Sequence, residues 1–165
     1  MKEIPLTQGH VALVDDDDYA WLSTHKWHAL SSSRTPIIYA VRTVIEGKKH
    51  RAVLMHREIA MPLLGFDVDH RDHDGLNNQR KNLRVCTASL NMANRRKHIL
   101  SGSQFKGVTL ASEGRWRVRI QIERRPYHIG YFATEEEAAR AYDRAAAQYF
   151  GSWRKANFPK KRDAA

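Results

Sequence analysis

The chain has 165 residues, 42% of them hydrophobic, and a formal net charge of +10 at pH 7. This length suits one ordinary domain or two or three small ones, and no apolar run approaches the length of a membrane span. The single cysteine excludes an internal disulfide and a structural zinc cluster of four cysteines, and the first ten residues lack the apolar stretch of a secretory signal.

The positive charge is concentrated towards the C-terminus. Residues 1–94 contain 12 Lys and Arg against 11 Asp and Glu, a net charge of +1, whereas residues 95–165 contain 16 against 7, a net charge of +9. An excess of cations predicts a polyanionic partner such as double-stranded DNA. We therefore expect the C-terminal part to hold the partner.

Residues 1–52 are predicted to form a β-rich N-terminal segment. His10–Val14 has the composition of a strand. The acidic run Asp15–Asp18 is interpreted as a solvated turn that leads into a helix at Tyr19–Leu22. Ser31–Ser33 indicates a loop.

Two strand-like runs, Ile37–Ile45 and His50–His56, flank the turn residues 46–49 and predict a β-hairpin. His56 closes the second run. It is interpreted either as a packed structural histidine or as support for an active site further along the chain.

The stretch from Asp69 to Asn91 predicts strand, loop, strand and helix. Asp69 and His70 end an apolar segment, a loop rich in turn residues follows, and Asn82 precedes a short strand at residues 83–86. Thr87 or Ser89 can cap the helix that carries Asn91.

This arrangement is suited to metal-assisted phosphodiester hydrolysis. His70 titrates near neutrality and could act as the general base. Asp69 and Asn91 offer oxygen ligands of the kind that Mg²⁺ prefers. Asn82 could hold the loop or orient the imidazole, and Asp72, His73 and Asp74 are read as a solvated turn or as a further ligand.

These residues resemble the HNH endonucleases, also known as His-Me finger or ββα-metal nucleases. The resemblance is carried by Asp69-His70, Leu76-Asn77-Asn78, Asn82-Leu83-Arg84 and Asn91. It implies His70 as the general base, Asp69 and Asn91 as ligands of Mg²⁺ or another divalent cation such as Mn²⁺, and a structural role for Asn82. The segment before it, at residues 39–57, resembles the one that often precedes such cores in phage-type homing endonucleases.

The helix is predicted to continue through Arg95, Arg96 and Lys97 to His98 and to break at Ser101–Ser103, the clearest linker in the chain. These cations could follow the phosphate backbone. A solvated helix end, where cations are favoured by the helix dipole, predicts the same residues. We keep both interpretations.

The C-terminal part predicts three strands and a helix. Strands are expected at residues 105–110, 115–122 and 127–132, and the middle one alternates strictly between apolar residues and Arg115, Arg117, Arg119 and Gln121. Thr134 should cap a helix that ends at Gly151. The apolar stripe of this helix is expected to cover the apolar face of the sheet and to consist of Ala138, Ala141, Tyr142, Ala145 and Tyr149.

This part resembles the AP2 DNA-binding domain. The matching residues are Phe105-Lys106-Gly107-Val108, Arg115-Trp116, Ile129-Gly130-Tyr131-Phe132, residues 136–143 and Asn157-Phe158-Pro159. In that family the sheet face binds DNA, which implies contacts from Lys106, Arg115, Arg117, Arg119 and Gln121. Arg125 and His128 of the third strand are further candidates, and the face on which each lies depends on whether that strand contains a bulge.

The resulting prediction is an α+β protein in three parts: a β-rich segment (1–52), an HNH nuclease core with a basic connector (53–100), and an AP2-like three-stranded antiparallel sheet packed on one helix (103–160). The expected function is that of a Mg²⁺-dependent homing-type DNA endonuclease that nicks a site selected by the AP2-like part. The expected location is the cytoplasm of a bacterium or phage-infected cell. The sequence does not distinguish a monomer from a dimer. A non-catalytic DNA-binding regulator and a structure-selective or RNA-directed nuclease are the alternatives.

Overall fold

The structure is a computed structural model that describes residues 1–32, 35–95 and 102–159. It is a mixed α/β structure with several small antiparallel sheets and few helices. The chain divides into two compact units, a first unit of Met1–Cys86 and a second unit of Thr87–Ala165. Within the described ranges, every helix is too short or too polar to span a bilayer.

The first unit begins with a two-stranded sheet. β1 (Lys2–Pro5) pairs antiparallel with β2 (Val11–Val14), and a 3-10 turn at Thr7–Gly9 lies between them. β2 confirms the predicted strand, whereas β1 was not predicted. The helix α1 (Asp16–Leu22) follows, so the acidic run forms the first turn of the helix and does not only precede it.

A three-stranded antiparallel sheet follows. It consists of β3 (His28–Ser32), β4 (Thr35–Glu46) and β5 (Lys49–Leu54) in that order. The predicted hairpin is confirmed as β4–β5. The loop predicted at Ser31–Ser33 is wrong for its first two residues, which pair with β4 through their backbones; its third lies outside the described residues.

The helix α2 (Met55–Ala60) includes His56, which was predicted to end a strand. The apolar residues after α2 do not form the expected strand either, since Leu63 and Leu64 are 77% and 102% exposed. Only β6 (Asp67–His70) is extended, and it pairs antiparallel with β7 (Leu83–Cys86). Cys86 is buried at the end of β7.

The apolar core of the first unit is built from five of these elements and the loops beside them. Its buried side chains come from β1, β2, α1, β4 and α2, and they pack around Trp27. They are Ile4, Leu6, Ala12, Val14, Leu22, Trp27, Ala40, Met55 and Ile59. The indole N–H of Trp27 donates to the carbonyl of Leu22 at 2.8 Å, which satisfies its polar edge in the core.

The second unit begins with α3 (Ala88–Asn94), capped by Thr87 through a 3.4 Å bond from the N–H of Leu90. The helix ends at Asn94, so the predicted continuation through Arg95 is wrong, and residues 96–98 lie outside the described ranges. Ala93 and Leu90 pack into the core of the second unit. The division between the units therefore precedes α3 instead of falling at the predicted linker.

A second three-stranded antiparallel sheet follows in the order β10-β9-β8. It contains β8 (Val108–Leu110), β9 (Trp116–Ile122) and β10 (Arg125–Phe132), with a 3-10 turn at Ser112–Gly114. The predicted alternation of β9 is confirmed: Val118 and Ile120 are buried and Arg119 is exposed. The bulge considered for β10 is present between His128 and Gly130.

The helix α4 (Glu135–Phe150) packs on the apolar face of this sheet, and a 3-10 turn at Gly151–Trp153 follows it. Thr134 and Glu137 form a reciprocal capping box at its start. The predicted apolar stripe is wrong at Tyr149, which is 55% exposed, because Phe150 is the buried residue at this end. Gly107 allows close packing, since a Cβ there would lie 2.1 Å from the ring of Tyr142.

Candidate active site and nucleic-acid interface

His70 is the last residue of β6 and is buried, with 6% of its surface exposed. Its Nε2 lies 3.4 Å from Oδ1 of Asn78. The ring of His56 meets it edge-on at a centroid distance of 4.9 Å, and the ring of Tyr39 lies at 5.9 Å. The imidazole is therefore bounded by an amide and two rings.

Burial lowers the pKa of His70 below its ordinary value, although the hydrogen bond that the ring donates to Asn78 and the carboxylates of Asp72, Asp69 and Asp74 act in the opposite direction. At neutral pH the imidazole is therefore uncharged. A neutral imidazole has a lone pair and can accept a proton from water, as a general base must.

His56 lies beside His70 in the first turn of α2 and is also 6% exposed. Its Nδ1 has no hydrogen-bond partner among the described residues. Burial, followed by the proximity of His70 and Arg57, lowers the pKa of His56 to about 3, so this second ring is also neutral at pH 7. The contact between the two rings favours the interpretation in which His56 supports the site.

Asp69, the predicted metal ligand, forms an ion pair with Arg84. The two residues face each other across β6 and β7, and Nε of Arg84 lies 3.2 Å from Oδ2 of Asp69. Nη2 of Arg84 donates to the same oxygen, and both side chains are largely buried. Sequence reasoning did not anticipate this pair.

The donor set can still take a divalent cation. A carboxylate has two oxygens with about four lone-pair directions in total, so an arginine on Oδ2 does not exclude a cation on the same group. Among the residues that the structure describes, no three His, Cys, Asp or Glu side chains come together as a metal-binding group. A cation held by Asp69 would therefore need water and phosphate to complete its coordination.

Asn82 holds the loop between β6 and β7. Its Nδ2 donates to Oδ1 of Asp72 at 2.9 Å and to the carbonyl of Asn77 at 2.8 Å, and its Oδ1 accepts from the N–H of Asp72 at 3.2 Å. Of the two roles considered for Asn82, these contacts favour the first, holding the loop. They satisfy its amide within the loop.

Asp72 is exposed in this turn, as expected, and also accepts hydrogen bonds within the loop. It accepts from the N–H of Asp74 at 2.9 Å and from Nδ2 of Asn77 at 2.7 Å, in addition to Asn82. Burial alone would raise the pKa of Asp72, but these hydrogen bonds lower it below its ordinary value. The ionised carboxylate therefore stabilises the loop.

The loop is also attached to α1. Arg80 donates to Asp18 at 2.6 and 2.7 Å, and its backbone N–H donates to Asp15 at 2.8 Å. Asp18 is 2% exposed, so the interpretation of the whole acidic run as solvated is wrong at this residue. Because 62 residues separate Asp18 from Arg80, local sequence patterns could not reveal the pair.

Asn91 lies on α3 in the second unit, where it is half-buried and interacts with other residues of the protein. Of the predicted catalytic and metal-binding residues, the first unit thus brings together Asp69, His70 and Asn82. Asn78, which the resemblance included without giving it a role, joins them through its contact with His70. Its sequence context does not distinguish it from Asn77, and only the fold shows its contact with His70.

The second unit presents an open face of its sheet, opposite α4. We define this open face by Arg117, Arg119 and Gln121 of β9 and by their cross-strand partners Tyr131, His128 and Pro126 of β10. Arg115 lies beside it, 5.3 Å from the ring of Tyr131. The open face is cationic and aromatic, which suits contact with phosphates and bases.

Two predicted DNA contacts do not lie on the open face. The ammonium of Lys106 donates to the carbonyls of Met92, Ala93 and Arg95 at 3.1, 2.6 and 2.8 Å, so all three of its protons cap the C-terminus of α3. Arg125 pairs with Ile122 and therefore projects to the side of the apolar residues. Arg95 is the exposed cap of α3, while Arg96 and Lys97 lie outside the described residues.

The chain is similar to two groups of known proteins. A family model of HNH endonucleases matches residues 48–93. An uncharacterized HNH endonuclease of Acanthamoeba polyphaga mimivirus is 29% identical over 146 residues, which cover 88% of this chain and 74% of the viral protein. HNH nucleases generally use divalent metal ions.

The second group consists of plant proteins. The APETALA2-like protein 2 of Oryza sativa subsp. indica is 50% identical over 58 residues, or 34% of this chain and 13% of the rice protein. An ethylene-responsive transcription factor of Arabidopsis thaliana is 38% identical over 96 residues, or 55% of this chain and 58% of that protein. The chain thus spans only part of each plant relative. The chain is thus similar to an HNH endonuclease over most of its length and to AP2-type plant proteins over part of it.

Proposed function

We propose that this protein is a metal-dependent DNA endonuclease in which His70 is the general base. The observation that carries the proposal is the buried, neutral imidazole of His70 beside Asp69 at the end of β6. A neutral imidazole in this setting can accept a proton from water at neutral pH. The similarity to an HNH endonuclease over 88% of the chain supports the same conclusion.

In the proposed reaction, water attacks phosphorus and gives a proton to His70 as the new P–O bond forms. The bond from phosphorus to the leaving oxygen breaks, and this oxygen takes a proton from solvent water, which leaves a 5′-phosphate and a 3′-hydroxyl. Asp69 would hold a divalent cation, for which we propose Mg²⁺ or Mn²⁺, and the chemistry that such a cation would supply is stabilisation of negative charge. Asn91 as a further ligand rests on the family resemblance alone.

We also propose that the second unit binds double-stranded DNA and selects the site, as in homing endonucleases. Its net charge of +9 and the arginines of the open face support this role. A single active site would cut one strand per encounter, so a monomer should nick. A double-strand break would then require two chains or two encounters.

One observation favours a non-catalytic DNA-binding regulator instead. The ion pair with Arg84 already neutralises the Asp69 carboxylate, which leaves less negative charge for a cation. The regulator would keep the fold of the first unit without its chemistry.

Plasmid nicking separates the two functions. We expect supercoiled plasmid to be converted to the open circular form with Mg²⁺ or Mn²⁺ and not with a chelator. His70→Ala should lower the rate by at least about 10²-fold, the usual scale for the loss of a general base, with unchanged DNA affinity. The matched control is His25→Ala, an exposed histidine of the first unit outside β6 and β7. Full activity of His70→Ala would remove His70 from the mechanism, and no nicking with any cation would favour the regulator.

A further inference from the structure

Asn78 is anchored on both its backbone and its side chain. The residue is fully buried, and its N–H donates to the carbonyl of Leu13 at 2.8 Å. Its Nδ2 donates to the carbonyl of Leu76 at 3.1 Å, while its Oδ1 faces Nε2 of His70 at 3.4 Å. Asn78 therefore has little freedom to turn its amide.

These contacts determine which nitrogen of His70 carries the proton. A backbone carbonyl only accepts hydrogen bonds, so the contact with Leu76 fixes the amide with its NH₂ group towards Leu76 and its oxygen towards His70. That oxygen is also only an acceptor, so Nε2 must be the donor. In a neutral imidazole with a proton on Nε2, the lone pair is on Nδ1.

The rings on the other sides restrict the rotation of the imidazole. His56 lies edge-on to His70 with an interplanar angle of 81°, and Tyr39 contacts both rings, at 5.4 Å from His56 and 5.9 Å from His70. A flip of the imidazole about its χ2 axis would move Nε2 away from the Asn78 oxygen within this enclosure. The hydrogen bond and the packing therefore favour the same orientation.

We propose that Asn78 is a positioning residue that holds His70 in the tautomer with its proton on Nε2, so that Nδ1 is the atom that accepts the proton from water. This inference rests on the proposed nuclease function, in which His70 is the base. It assigns to Asn78, and not to Asn82, the orientation of the imidazole, because the amide of Asn82 is used by Asp72 and Asn77.

The test combines a spectroscopic and a kinetic measurement on the full chain. Nitrogen-15 chemical shifts of His70, recorded above the ordinary histidine pKa of about 6.5, distinguish the two tautomers. We expect the Nε2–H form in the wild type and a mixture of forms in Asn78→Ala. Turnover of plasmid by Asn78→Ala should fall roughly 10- to 100-fold with unchanged KM, the scale typical of a lost orienting partner.

Two further variants make the outcome decisive. Asn78→Asp keeps an acceptor oxygen towards Nε2, so it should retain the Nε2–H form and recover most of the turnover. Gln79→Ala removes the neighbouring buried amide, which contacts Asp15 and not His70, and should leave tautomer and turnover unchanged. If Asn78→Ala does not fold, the spectra of the wild type and of Asn78→Asp still show which tautomer of His70 is present.

A wild-type His70 in the Nδ1–H form would overturn the inference, as would a folded Asn78→Ala protein with wild-type turnover. A purely structural role would lower the melting temperature of Asn78→Ala without changing the tautomer. If the wild type cuts no DNA but shows the Nε2–H form that Asn78→Ala loses, the nuclease function fails while the positioning contact stands.

Discussion

His56 is a buried histidine whose Nδ1 lacks a hydrogen-bond partner among the described residues. A buried polar group without a partner costs roughly 1–3 kcal/mol, and an apolar ring of similar shape would avoid that cost. Because the ring of His56 contacts that of His70, the cost is located at the proposed active site. The residue therefore offers a test of whether the site reduces the stability of the fold.

We expect the stability of the wild-type protein to decrease in acid because of His56. The folded protein lowers the pKa of His56 to about 3, so between that pH and the ordinary value of about 6.5 the unfolded chain binds the proton and the folded chain does not. Stability should therefore fall by about 1.4 kcal/mol for each pH unit below about 6.5. His56→Phe should lack the part of this loss that His56 causes and keep the part that comes from His70, whose pKa burial also lowers.

Chemical denaturation of both proteins between pH 5 and pH 8, roughly one and a half units on either side of the ordinary histidine pKa, measures the difference. The free energy of unfolding of His56→Phe should exceed that of the wild type by more at pH 5 than at pH 8. An equal difference at both pH values would mean that His56 takes up a proton without cost in the fold.

At this scale the sequence predicted candidate residues where chemistry and spacing coincide, and the structure places Asp69, His70 and Asn82 in the same part of the first unit. It could not predict Asn78, because the position of that amide depends on a backbone bond to Leu13, in another part of the chain. Nor could it predict that Arg84 pairs with Asp69, since the strand register must first be known.

Among the elements, β9 has two faces with different roles. Arg119 is exposed on the open face and pairs with His128, whereas its neighbour Ile120 is 2% exposed and packs in the core of the second unit. Adjacent residues on one strand can therefore be used to separate recognition from folding.

Arg119→Ala should weaken binding to target DNA by roughly 1–3 kcal/mol if the arginine reads a base, and should leave the melting temperature unchanged. Ile120→Ala should instead destabilise the protein by about 2–5 kcal/mol, because it removes a buried side chain. Thermal melting and binding to target and scrambled duplexes measure the two effects. A destabilised Arg119→Ala protein together with a stable Ile120→Ala protein would mean that the two faces are reversed.

The strict alternation of β9 made its faces predictable, whereas β10 required the structure. The bulge at Ile129 allows His128 and Tyr131 to share a face although three positions separate them. The role of Lys106 was also hidden from the sequence, since its cap on α3 depends on an approach across 11 to 14 positions. Alternation is a local signal, and these contacts are not.

For the whole molecule, the charge difference coincides with the division into units. Residues 87–94 contain no charged side chain, so the first unit carries a net charge of +1 and the second unit a net charge of +9. The unit with the proposed active site is thus nearly neutral, and the unit with the open face is strongly cationic. DNA cleavage and DNA binding are therefore expected to reside in different units.

A fragment of residues 87–165 should fold and bind duplex DNA, with an affinity that falls steeply as the salt concentration rises, because about 0.9 counterions are released per phosphate contacted. A fragment of residues 1–86 should bind weakly. Filter binding over a series of salt concentrations measures the DNA affinity of each fragment and its dependence on salt. A fragment of residues 103–165 serves as a control and should be less stable, because it lacks α3 and the packing of Ala93. Equal affinity of the fragment of residues 1–86 and the full chain would refute the separation of roles.

Cys86 is the only cysteine of the chain and is buried at the end of β7. Burial, with the carboxylates of Asp69 and Asp67 nearby, raises the pKa of its thiol to about 11. Since the thiolate is the reactive form, this thiol should react slowly with labelling reagents at neutral pH. A cysteine introduced on the surface of either unit could therefore be labelled selectively without replacing the native one. Fluorophores attached in this way, one to each unit, would report how the units move when DNA is bound and cut.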